Sequence, residues 1–231
     1  MDHKSVAEVS APEGIDTREK LLIAARKLFS VKGFAGTTVK ELADHAGVNV
    51  SLVSYHFGGK EGLYRTCIEQ FGQARLDFAR RVLQPAKSDE EFRVRLRMFV
   101  DEMLRCHVEE KEATQMIHRE CDSEVPIIED IFRNTFLKVF ETLVQFFVAA
   151  KNVGMSADHV DAEMAARIFW GGLIFNIRTN SLNEKFFACS LDEIKFRERF
   201  VEQLILNCSR GFLNQPLVAV TSPVQSVLAK E

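Results

Sequence analysis

Side chains suited to gripping a polyanion gather in one short stretch of this 231-residue chain: Thr38, Lys40, Val50, Ser51, Ser54, Tyr55, His56 and Lys60. Hydroxyl and ammonium groups contact phosphate oxygens, serine reads base edges with little discrimination, and a branched aliphatic side chain reads the thymine methyl. This is the chemistry of double-stranded DNA recognition, with A·T pairs expected beneath Val50, Ser51 and Ser54. Other chemistries lack their residues. The five cysteines (Cys67, Cys106, Cys121, Cys189, Cys208) are scattered and form no C-x-x-C, which argues against a zinc module or disulfide scaffold and for a reducing compartment. No histidine follows a glutamate by three residues, so the carboxylate di-metal pattern of helical bundles is absent. There is no phosphate-cradling glycine loop and no nucleophile–base pattern. No catalytic residue, metal or cofactor is therefore expected, and the chain does not read as an enzyme.

The elements that must hold those residues are helices. Gly (12) and Pro (5) are few, and apolar residues recur at helical spacing, which predicts an all-α chain. Asp16 to Glu19 has the spacing of a capping box, followed by an apolar face of Leu21, Leu22, Ala25, Leu28 and Phe29, with a stop at Gly33. Thr38 to Glu41 forms a second box, ahead of Val39, Leu42, Ala43 and Ala46. Gly47 ends that short helix in a turn that suits a residue without Cβ, and Asn49 caps a third helix that points Val53 and Phe57 inward. A short helix, a Gly-containing turn and another short helix make a helix-turn-helix, whose second helix enters the major groove. Gly58-Gly59 breaks the chain again. Lys60 then opens a long helix, at an end whose free N–H groups already favour phosphate. Two choices stay open: Thr38 caps alone or also touches phosphate, and Leu52 reads DNA or packs on the first helix.

The run Thr37-Thr38-Val39-Lys40-Glu41-Leu42-Ala43, then Ala46-Gly47-Val48, then Tyr55 through Tyr64 resembles the DNA-binding domain of the TetR family of transcriptional regulators. The likeness spans roughly residues 16–65; the remainder is similar only in length and helical character. It implies a homodimeric repressor that binds a palindromic operator and releases it when a small effector enters the C-terminal domain. One position departs from the pattern. Ser54 stands where the family often has a phosphate-reaching tyrosine, which shifts that work toward Tyr55 and His56. Val50 and Leu52 are also unusually apolar for the start of a recognition helix.

Residues 66–231 hold 16 of the 19 phenylalanines. Phe132, Phe136, Phe140, Leu143 and Phe147 recur along one helical face, as core, as the wall of a ligand cavity, or as both. With Trp170 as the sole tryptophan and two tyrosines, such a wall favours a mainly apolar ligand held by Phe132, Phe136, Phe140, His118 and Arg178; His107 and Glu120 are further polar candidates. The last two long helices carry wide apolar arcs. Phe169, Trp170, Leu173 and Ile177 on one, with Val201, Ile205, Cys208 and Phe212 on the other, are expected to form a homodimeric four-helix bundle. The expected organisation is a flexible leader at 1–15, a three-helix DNA-binding domain at 16–65, a larger helical effector-binding and dimerisation domain at 66–213, and a tail at 214–231. A DNA-binding regulator without small-molecule control is the alternative; a helical enzyme is a remote one.

The net charge of -3 does not contradict a DNA partner. Residues 16–65 contain eight Lys/Arg against five Asp/Glu, so the reader is basic while the rest of the chain is acidic. With screening lengths of about 8 Å at physiological salt, DNA feels the nearer domain. Residues 1–15 lack the apolar stretch of a signal peptide, and apolar runs such as 168–175 fall short of the roughly 20 residues that cross a bilayer. A cytoplasmic protein without a membrane partner is expected. On this reading, Lys60→Ala weakens binding to every DNA sequence and lowers the salt slope by about one unit, whereas Val50 or Ser51 changes alter sequence preference.

Overall fold

The structure is a computed structural model that describes residues 16–121 and 127–214. The leader expected at 1–15 and the tail beyond Asn214 lie outside the described residues. Eleven α-helices make up the described chain: α1 Thr17–Lys32, α2 Val39–Ala46, α3 Ser51–Phe57, α4 Lys60–Val82, α5 Asp89–Glu109, α6 Lys111–Cys121, α7 Glu129–Asn134, α8 Phe136–Asn152, α9 Ala162–Arg178, α10 Asn180–Phe187 and α11 Ile194–Phe212. Among the described residues there is no strand, only an isolated bridge between Ser156 and Leu213. No described helix is long and apolar enough to cross a membrane.

In the N-terminal segment, local chemistry starts and stops the second and third helices as the sequence predicts. The second capping box forms in full: Thr38 Oγ1 accepts from the Glu41 N–H at 3.2 Å, and Glu41 Oε2 accepts from the Thr38 N–H at 2.8 Å. Gly47 adopts the left-handed conformation (φ 65°, ψ 38°), which lets α3 leave α2 through a tight turn. The first box does not form. Asp16 makes no side-chain cap, and the Glu19 carboxylate pairs with Arg26 at 3.1 Å. Ser88, at the start of α5, is a cap that the sequence reading passed over; its Oγ accepts from the Glu91 N–H at 3.1 Å.

Two apolar cores result. The first joins α1–α3 to the start of α4, with Leu21, Leu22, Phe29, Leu42, Val53 and Leu63 almost fully buried. The second centres on Phe92, whose ring stacks on Phe146 at 4.8 Å and on Phe212 at 5.4 Å, with Phe147 edge-on at 5.3 Å. Each such aromatic contributes roughly 1.5–3 kcal/mol by leaving water. The boundary placed at residue 65 is not a break in packing. Met116 and Ile117 of α6, Ile131 of α7 and the adjacent Ile128 complete the first core, so later helices close the domain that the first three begin.

Two further expectations need correction. The phenylalanine stripe is not one helix: Thr135 (φ -123°, ψ -74°) separates α7 from α8. α4 passes close to this break at Gly72, where an added Cβ would lie 2.5 Å from Thr135 Oγ1. The residues assigned to the dimer interface are mostly the monomer's own interior. Phe169, Leu173, Ile177, Val201, Ile205 and Phe212 are buried in the second core within a single chain, while Trp170 and Cys208 are half-buried against it. The packing of α9 and α11 onto α5 and α8 uses those faces first. What remains outward on α9 is the neighbouring row Met164, Ile168, Gly171 and Phe175.

Gly62, in the first turn of α4, is a second point of close approach, since a Cβ there would lie 1.8 Å from the carbonyl oxygen of Phe57. Gly62→Ala is expected to destabilise by about 1–3 kcal/mol through enforced displacement of α3 from α4. Gly211, which has nothing within 4 Å of its Cβ position, gives the opposite sign: Gly211→Ala should stabilise by roughly 0.5–1 kcal/mol through helix propensity. Urea unfolding of both variants checks the pair.

Candidate nucleic-acid interface and ligand cavity

The third helix divides cleanly into an inner and an outer face. Val53 is fully buried, while Leu52 and Phe57 are half-buried against the first core. Arg18 covers the Phe57 ring at 5.2 Å. On the outer face Val50, Ser51, Ser54 and Tyr55 are exposed, as are Thr38 and Lys40 on the adjoining helix. Tyr55 is 80% exposed and meets His56 edge-on at 5.0 Å, so neither hydrophobic burial nor core packing accounts for its ring. Asn49 does cap α3, its Oδ1 accepting from the Ser51 N–H at 2.9 Å and the Ser51 hydroxyl at 2.8 Å. The α2 start is held by charge as well: the Lys32 ammonium at 2.6 Å, then the Thr38 N–H and hydroxyl, lower the Glu41 carboxyl to about 2.

Lys60 is placed differently from the expectation. Its ammonium donates to the carbonyls of Phe34 and Thr37, both at 3.0 Å, and lies 4.2 Å from the centre of the Phe34 ring. The lysine at the α4 start thus supplies a donor to the Thr37 carbonyl and a second donor to the Phe34 carbonyl, which also accepts from the Thr37 N–H at 3.4 Å, so its charge is turned into the domain.

The larger half of the chain encloses a cavity of about 630 Å³. Phe71 and Arg75 of α4, Met103, Cys106 and His107 of α5, Thr114 and Ile117 of α6, and Ile174 of α9 contribute to its wall. Phe132, Phe136, Phe140, His118 and Arg178 all line it, with Trp170 and Ile177 beside them. Glu120 does not. Its carboxylate instead accepts from the Tyr64 hydroxyl at 2.6 Å inside the first core, and burial followed by that contact raises the tyrosine's titration. The volume falls in the range of small-molecule sites, and the wall is mainly apolar. Among the described residues no group of His, Cys, Asp and Glu is arranged to hold a metal ion. Cys106 in the wall is pushed up to about 12 by burial, so at neutral pH it remains an unreactive thiol.

Cavity and reader are mechanically continuous. Ile117 lines the cavity and also belongs to the first core. Next to it, Arg119 donates to the Ser30 carbonyl at 3.0 Å near the C-terminal end of α1, where a cation also meets the negative end of the helix dipole. Arg65 ties α4 to the α7 start through the Ile127 carbonyl at 2.7 Å and Asp130 at 2.5 Å. Sequence reasoning missed Arg65, Arg75, Thr114 and Arg119, since a lone polar residue on an apolar helix gives no sign of its partner.

The expectation for Lys60→Ala changes with its placement. Loss of two charge-assisted hydrogen bonds and a cation–π contact should cost about 1–2 kcal/mol of stability. The salt slope of DNA binding should stay unchanged for the folded fraction. Thermal unfolding alongside DNA titrations at several salt concentrations checks both.

Comparison with known proteins agrees with this geometry. Residues 21–67 match the profile of bacterial regulatory proteins of the tetR family. A probable HTH-type transcriptional regulator of Bacillus subtilis, YttP, is 28% identical over 137 residues, covering 57% of this chain and 64% of the relative. The HTH-type transcriptional repressor NicS of Pseudomonas putida is 37% identical over 79 residues, 31% of this chain and 37% of that one. The aligned part is thus under two thirds of either relative's length. In fold, the chain is similar to SmeT, the repressor of a Stenotrophomonas maltophilia multidrug efflux pump, with a TM-score of 0.67 at 16% identity over 94% of this chain and 97% of that one. A SmeT–triclosan complex gives the same score over 83% and 90%. With capped helices, turn and outward helix face in register with that profile, residues 21–67 form a DNA-binding domain of the kind found in bacterial regulatory proteins of the tetR family.

Proposed function

We propose that the protein is a cytoplasmic homodimeric repressor that binds a palindromic operator and releases it when a small, mainly apolar molecule occupies the 630 Å³ cavity. The observation that carries this reading is the double membership of α6: it supplies Thr114, Ile117 and His118 to the cavity wall while Met116, Arg119 and Glu120 grip the reader. The fourth helix is shared in the same way, with Tyr64 and Ile68 in the first core and Phe71 and Arg75 at the cavity. A molecule that fills the cavity in only one arrangement of α4 and α6 shifts the population of DNA-competent dimers, which is all an effector needs to do. SmeT, of similar fold, is a repressor known in complex with triclosan, which supports the assignment of an effector role.

On the DNA side, Val50, Ser51 and Ser54 read bases, with Tyr55, His56, Thr38 and Lys40 on the phosphates. The two reading helices of a dimer then enter successive major grooves, roughly 34–36 Å apart or a multiple of it. Dimerisation uses α9 and α11 through the faces left outward: Met164, Ile168, Gly171 and Phe175 on α9, with Ile194 and Leu206 on α11. Ile168 at 70% and Phe175 at 66% exposure form an apolar row too continuous for a solvated surface.

Binding-site selection should return inverted repeats with A·T pairs beneath Val50 and Ser51; half-sites made of G·C alone overturn the base-reading assignment. The double substitution Ile168→Glu with Phe175→Glu should move the sedimentation mass to the 26.3 kDa of one chain and lower operator affinity at least tenfold. A wild-type mass already at that value at micromolar concentration overturns the dimer.

A further inference from the structure

The cavity has a polar end, and its polarity has a sign. His107, Thr114, His118, Ile177 and Arg178 line both the 630 Å³ chamber and an outer pocket of about 230 Å³. Three arginines and two histidines line the chamber, and no described Asp or Glu does. Carboxylates enter only in the outer pocket, as Glu184 and Asp192, and Asp192 is already bound to Lys111 at 2.7 Å. The positive side is partly offset, since Arg75 pairs with Glu110 at 3.0 Å and Arg167 with Glu163 at 2.6 Å.

Inside that wall, hydrogen-bonding capacity is left over. Arg75 and Thr114 are more than nine-tenths buried, yet Arg75 Nε and Thr114 Oγ1 have no partner, and neither does the buried His107 Nδ1. The threonine is the telling case. A helical threonine ordinarily returns its hydroxyl to the carbonyl four residues back, as Thr66, Thr135, Thr142 and Thr179 do in this chain. Thr114, which lines both chamber and pocket, makes no such bond, and its hydroxyl is buried without a partner. Buried polar atoms without partners cost stability, and a bound acceptor recovers that cost.

We propose that the effector is an amphipathic organic anion. Its apolar body fills the chamber against Phe132, Phe136, Phe140 and Trp170, and its carboxylate or equivalent acidic head sits at the shared wall. There the head accepts from donors drawn from Thr114 Oγ1, Arg75 Nε and His107 Nδ1. An ammonium head finds no carboxylate in the chamber, and a purely apolar molecule leaves the buried donors unanswered. This rests on the reading of the cavity as the effector site.

Trp170 is the only tryptophan of the chain and stands in the chamber wall, so its fluorescence reports occupancy directly. The full chain is titrated with three probes of one body and different heads: sodium decanoate, 1-decanol and decyltrimethylammonium. Thermal unfolding serves as a second readout. The expected result is a decanoate Kd at least tenfold below that of 1-decanol, with the cation weakest. Thr114→Val, which removes an unpartnered hydroxyl and so keeps the fold, should bring decanoate and 1-decanol to within about twofold of each other. Equal binding of acid and alcohol by the wild type overturns the anion assignment while the cavity remains an effector site. An undiminished preference in Thr114→Val overturns the placement of the head. No response to any of the three probes overturns this inference and the effector reading together.

Discussion

The structure depends on α6 serving the DNA-reading core and the cavity wall at once. Its 11 residues present Ile117 and Met116 to the DNA-reading core and Thr114 and His118 to the cavity, while Glu120 holds the Tyr64 hydroxyl at 2.6 Å where water does not reach. A charge-assisted hydrogen bond in such surroundings is shorter and stronger than a neutral one, and breaking it strands a buried partner. Neither half of the molecule therefore rearranges near α6 without disturbing the other. Close-packed interiors respond to such a demand by switching between discrete arrangements rather than yielding continuously, which is the property a ligand-controlled regulator needs.

The reader itself is built by subtraction. Four short stretches of helix leave few apolar side chains for a core, so every inward position is used: Val53 is wholly buried, and Leu52 and Phe57 are partly so. Lys60, whose type and position suggested a phosphate contact, is instead spent on the carbonyls of the α1–α2 connection. The backbone carbonyls of a turn must find donors wherever the chain is half-buried, and that demand outranks attraction to a ligand that is present only some of the time. What stays outward on α3 is a row of small and aromatic groups with modest charge.

Much of the reader was legible because its signals are local. The Thr38–Glu41 box, the left-handed Gly47 and the Asn49 cap each involve residues within three positions of one another, so spacing alone specifies the geometry. The box at Asp16 shows the limit of that rule: it does not form, and Glu19 pairs with Arg26 two turns along the same face of α1. The cavity residues Phe132, Phe136 and Phe140 were visible as a stripe, but the break at Thr135 was not; the segment it faces is Gly72 on α4, more than sixty positions earlier in the chain.

Amino-acid order by itself determined the helical class, the helix-turn-helix and the outward set on α3, since each follows from periodicity, capping and turn chemistry within a few residues. Only the tertiary structure decided which of two adjacent apolar stripes on α9 and α11 faces inward. Phe169, Leu173, Val201 and Ile205 were taken by the chain's own core, leaving Ile168 and Phe175 outside. A wide apolar arc is compatible with either choice; the relative positions of α5 and α8 select one. The same holds for Thr114 and Arg75, whose roles exist only because two helices distant in sequence enclose a space that neither can form alone.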